Sequence, residues 1–127
     1  MSFYDFTPVT SDPISAGDTD GRAVSFLYEL ENPADPTGDT VTSVVGIAIT
    51  RQDGTAITAT DLALTGASHP TTIDASGLVV GIWFTAPSNC VPAGVQQVDY
   101  AVTLKVNTAL GRVLDRTLYL SVLAMMG

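Results

Sequence analysis

Apolar residues recur in this chain at every second position. In residues 97–107, Val98, Tyr100, Val102, Leu104 and Val106 share one side, while Asp99, Ala101, Thr103, Lys105 and Asn107 share the other. A period of two marks a β-strand with one buried face. Residues 113–123 continue the pattern with Leu118, Leu120 and Val122 inward, and Thr108-Ala109-Leu110-Gly111 reads as the turn between the two strands. Further strands are predicted over 23–31, with Val24, Phe26, Tyr28 and Leu30 on one face, over 40–50, and over 78–85. Asp53-Gly54 is a tight-turn signal, so 55–64 is expected to pair back on 40–50 as a hairpin. Prolines and glycines mark loops over 32–39, 65–76 and 86–94.

No segment joins helical spacing to a capping box, which argues against alternating βαβ units. The predicted fold is all-β: a single antiparallel immunoglobulin-like β-sandwich of about 6–8 strands. Residues 1–22 read as an extended acidic N-terminal arm carrying Asp5, Asp12, Asp18 and Asp20, with Phe3, Tyr4 and Phe6 as aromatic anchors; residues 23–127 are the sandwich domain.

Composition narrows the function. The chain has 127 residues, one core's worth, and 46% of them are hydrophobic, enough to fold. Thirteen acidic residues against five basic ones give a net charge of −8. Five cations make a poor track for a phosphate backbone and a poor match to anionic lipid, so neither nucleic acid nor membrane is an expected partner. Apolar runs are too short for a membrane span, and the first residues lack the pattern of a signal peptide; synthesis in a reducing cytosol is expected.

The residues of catalysis are scarce. His69 and Cys90 are the sole histidine and cysteine, each in a predicted loop and without a protease-like context. Two such ligands do not make a zinc site, and no phosphate-cradling glycine motif occurs. Asp18 and Asp20, with Asp12 upstream, form a fragment of a calcium loop that lacks the closing Glu; the plainer reading is an acidic turn. No catalytic residue, metal or cofactor is therefore expected, and the chain is not read as an enzyme. Trp83 and Tyr100 are expected in the core, the alternative being a sugar-stacking platform in a glycan- or receptor-binding module. Arg112, Asp115 and Arg116 cluster at the start of the last strand, and the chain ends on apolar residues that include Met125 and Met126. Bare edges and adaptable methionines suit partner surfaces. The expected partner contacts are Phe3, Tyr4, Phe6, Arg112, Arg116, Met125 and Met126.

Two stretches carry a family resemblance. Residues 100–122 run from Tyr100 through Thr108, the Gly111-Arg112 turn and the Asp115-Arg116 pair to Val122. Residues 37–43 hold Gly38, Asp39 and Thr40 at the start of a strand. Together they resemble small immunoglobulin-like virion proteins of tailed bacteriophages, adaptors that join fibres to the tail or neck. The resemblance implies a structural protein of the virion that contacts tail, neck, fibre or capsid subunits, as a symmetric homo-oligomer on the particle. A capsid decoration protein is the nearest alternative.

Overall fold

The computed structural model describes residues 9–26 and 39–124. Phe3, Tyr4, Phe6, Met125 and Met126 lie outside the described residues, as do Tyr28 and Leu30 of the first predicted strand. The described chain is all-β. Its strands are β1 (Val9–Thr10), β2 (Ile14–Ser15), β3 (Thr19–Ser25), β4 (Val41–Arg51), β5 (Ala63–Leu64), β6 (Thr72–Ile73), β7 (Val79–Thr85), β8 (Gln97–Thr108) and β9 (Val113–Leu123). A short 3₁₀ turn, Gly66–Ser68, follows β5.

The strands form two sheets. The larger runs β1–β9–β8–β4, with β2 also on β9; the smaller runs β3–β7–β5, with β6 also on β7. β3 neighbours β7 and β4 neighbours β8, although each pair is distant in sequence. This is the wiring of an immunoglobulin-like sandwich. The core takes Tyr100, Val102, Leu104, Leu118 and Leu120 from one sheet and Val24, Val80, Ile82 and Phe84 from the other. Burying each large apolar side chain contributes about 1.5–3 kcal/mol, which is why the two alternating faces close on each other.

Three expectations change. The first predicted strand begins at Thr19 rather than residue 23, and within the expected arm Val9–Thr10 and Ile14–Ser15 are strands of the sandwich. β1 and β2 pair with β9 in parallel, at Val9↔Leu118, Thr10↔Tyr119, Ile14↔Val122 and Ser15↔Leu123. The sheet is thus antiparallel except along this edge. Ile14 and Ala16 are buried, so the segment is anchored in the core.

The third change concerns residues 55–64. The Asp53-Gly54 turn forms, with Gly54 N–H donating to Arg51 O at 3.2 Å, but the chain beyond does not pair back on β4. It crosses to the other sheet, where β5 joins β7 at Ala63↔Thr85 and Leu64↔Phe84. Buried Asp61 fixes that departure: its carboxylate accepts the N–H of Thr58 at 2.8 Å and the hydroxyl of Tyr100 at 2.7 Å.

Candidate functional site

The polar residues that survive burial define how the sandwich is closed at its ends. At one end stands Asp39, whose side chain is 0% exposed. One carboxylate oxygen accepts the backbone N–H of Thr40 and of Leu110, each at 2.9 Å. The other accepts Nε of Arg112 at 2.9 Å and lies 2.9 Å from its Nη2. The β8–β9 turn is built around this group: Thr108 N–H donates to Arg112 O, and the Arg112 N–H donates to Thr108 Oγ1. Burial pushes the Asp39 carboxyl up, but bonds from Thr108, Leu110, Arg112 and Thr40 outweigh it and hold it below the usual carboxylate range. The Arg112 guanidinium, expected at a partner surface, is therefore engaged within the domain. Asp115 goes elsewhere, lying 3.9 Å from Lys105, and Arg116 is half-buried on β9 opposite Leu104.

At the other end lies a second network. Arg51 Nη1 donates to Asp61 at 3.1 Å, and its Nε and Nη2 donate to Asp53. Asp61 takes the Tyr100 hydroxyl, which also meets Cys90 Sγ at 3.1 Å. Burial pushes the Tyr100 phenol above its ordinary range, reinforced by its bonds to Cys90 and Asp61; burial likewise raises the Cys90 thiol. A raised, buried thiol is a poor nucleophile. His69 is exposed and in another setting, stacked on Trp83. An open cleft of about 490 Å³ beside this network is lined by Arg51, Asp53, Pro92, Val95, Gln97 and Asp99, among others. Its one cation is already bound to two carboxylates, so it offers no free charge to an anion.

Trp83 corrects an expectation. Tyr100 is in the core, but Trp83 is 37% exposed. Ile82 and Phe84 point inward, so the residue between them points out. Its indole lies across Gly21, where an added Cβ would sit 2.9 Å from the ring, and stacks on His69 at 4.3 Å between centroids. The indole thus packs against Gly21 and His69 and leaves part of its surface open. Of the acidic turn, Asp20 pairs with Arg22 at 2.9 Å. Among the described residues no cluster of three or more His, Cys, Asp or Glu side chains could hold a metal ion.

Two features escaped the sequence reading. One is Arg22, a strand residue whose guanidinium reaches across to residues 11–13. Nε donates to Ser11 Oγ at 2.8 Å, and Nη2 donates to the carbonyls of Asp12 at 3.0 Å and Pro13 at 3.1 Å. The sole signal in the sequence was a cation within an acidic segment. The other is the outer edge of β4. Among the described residues no strand pairs along it, although the Val41 N–H at its start donates to Gly77 O at 2.8 Å, and its 11 residues include no proline and no charge before Arg51, which turns to Asp61. Val45 stands 54% exposed there, at a register shift between Val44 and Gly46. No protein-family model matches the chain, and no curated protein matches it.

Proposed function

We propose that this chain is a non-enzymatic structural protein of a bacteriophage virion, an adaptor at the tail or neck that joins other virion subunits through strand edges. The observation that carries the reading is the Asp39–Arg112 pair. The resemblance rests on two stretches far apart in sequence, 37–43 and 100–122, and their signature residues Asp39 and Arg112 bond to each other at 2.9 Å. That contact supports reading the two stretches as one device.

The edge of β4 supports the same reading. A long strand with almost no charge, and with no described strand on its outer side, invites another strand, and natural proteins usually block such an edge unless it is used. The register shifts near Val44 bend one half of it and leave residues 47–51 regular. A part of this kind works by fit and stiffness, needs no catalytic group, and acts on the virion after synthesis in the host cytoplasm.

The test is mass photometry of the purified chain, alone and mixed with the tail, neck, fibre and capsid proteins of the same particle. A ring, or a complex with a tail, neck or fibre protein, is the expected result. Binding to assembled capsids alone replaces the adaptor by a decoration protein, and indifference to all of them overturns both.

A further inference from the structure

The segment 9–16 lies over the β9 edge as a strap, and nothing in the way it is held requires it to belong to the same chain. We propose that the groove between the β9 edge and Arg22 is an exchange site, in which the strap of a second copy of this chain takes the place of the chain's own.

The groove reads backbone. Arg22 grips the carbonyls of Asp12 and Pro13, Ser11 N–H donates to Tyr119 O at 2.9 Å, and Ala16 N–H donates to Leu123 O at 2.8 Å. Two strap side chains, Ile14 and Ala16, fill the core. An identical strap from another copy repeats every one of these contacts, which is the condition for exchange between protomers.

The strap continues into its own domain through one turn, which is seated on Ala86: Gly17 N–H donates to Ala86 O at 2.7 Å and Ala86 N–H to Asp18 O at 2.9 Å. Asp18 N–H donates to Ser15 O at 3.1 Å, and Gly17 sits at φ 91°, as the third residue of such a turn requires. Opening that turn sends the strap away from its own groove and leaves two buried pockets and a bare β9 edge behind. Those vacancies have one well-matched filler, the same strap from a neighbour. The strap itself is weakly paired: two runs of two residues, in parallel, interrupted at 11–13. Short parallel pairing of this kind is easily released. Reciprocal exchange gives a closed two-fold dimer, and head-to-tail exchange gives a ring.

The inference concerns the isolated chain and stands apart from the virion reading, whose test requires other proteins. The full chain is prepared as Ser15→Cys/Leu123→Cys, because Ser15 and Leu123 are register partners. It is equilibrated at a series of concentrations in mild urea, returned to buffer, oxidised and run on a non-reducing gel. Exchange predicts a covalent dimer whose share grows with the concentration of equilibration. Gly17→Val, which a positive φ disfavours, should raise that share by roughly fivefold. Should Gly17→Val fail to fold, the concentration series on the unaltered turn decides alone. Internal links at every concentration overturn the proposal, and so does equal dimer formation by Ser15→Cys without its partner cysteine.

Discussion

At the scale of single residues, the buried acids carry the most consequence. Asp39 is tolerable inside the protein because both its oxygens are occupied by N–H donors and by the Arg112 guanidinium. Asp39→Ala leaves that guanidinium and two backbone N–H groups without their acceptor, and breaking a buried pair from one side costs about 3–5 kcal/mol. Urea unfolding should show a loss in that range. Arg112→Met should cost less, because the Arg112 side chain is 29% exposed and the Asp39 carboxylate keeps its two backbone donors. The double variant should be less damaged than the sum of the singles, since each single already destroys the pair. Additive losses would mean that the two residues are not coupled. Gly77 and Gly21 make a second comparison. A Cβ on Gly77 would lie 2.7 Å from Thr40 Cβ on a backbone at φ +72°, so Gly77→Ala meets both a fixed neighbour and a disfavoured conformation. On Gly21 it meets the exposed Trp83 ring, which can swing aside. Gly77→Ala should lower stability by about 1–3 kcal/mol, whereas Gly21→Ala should chiefly shift the tryptophan emission; thermal melts read alongside fluorescence separate the two.

At the scale of elements, β4 is the strand whose exposure has a functional reading, and charge is the direct way to spoil it. Ala48 is exposed on the regular half of that strand. Ala48→Lys should leave urea stability within about 0.5 kcal/mol of the parent and, on the proposed adaptor reading, abolish association through this edge. If the complex survives unchanged, β4 is not the joining edge. The elements also show what hydropathy can and cannot tell. β9 occupies residues 113–123 as its alternation predicts, and β8 runs one residue beyond its predicted end. Both have a solvent face and a core face, so the period is complete. β1 and β2 have two residues each, too few to display any period, and their place is set by β9 and by Arg22, which are remote in sequence. Residues 55–64 carry a true turn signal at Gly54, but pairing is decided by the burial of Asp61, and an acid in the core runs against what polarity suggests. Trp83 was legible: alternation with Ile82 and Phe84 places it outside, and its apolar character obscured that. Of the candidate site, Arg112 was visible as a residue of interest but not its partner, because a contact across 73 positions leaves no local trace.

At the scale of the whole molecule, the excess of acid ties folding to pH in a definite direction. Asp39 and Asp61 are both enclosed, and both are held below the ordinary carboxylate value by bonds that outweigh burial. A free carboxyl titrates at about 3.9. The unfolded chain therefore takes up protons at a pH where the folded protein still refuses them, and the difference favours unfolding as pH falls. Stability from these two groups is fully present above about pH 5, declines below about pH 4, and is lost as pH passes through their folded values. Asp53 and Asp20 are held low as well, but they are solvent-exposed and screened, so they add little. The sequence pI near 4.1 falls in the same window, so the −8 charge that keeps molecules apart vanishes as the fold weakens. Melting temperature should be level from about pH 8 to about pH 5 and fall steeply below about pH 4, with precipitation near pH 4. Asp39→Asn removes one of the two titrating groups at every pH. It should start lower at neutral pH and lose less on acidification, so that the two curves converge below about pH 4. Curves that stay parallel throughout would show that Asp39 is not among the groups that set the acid limit of this fold.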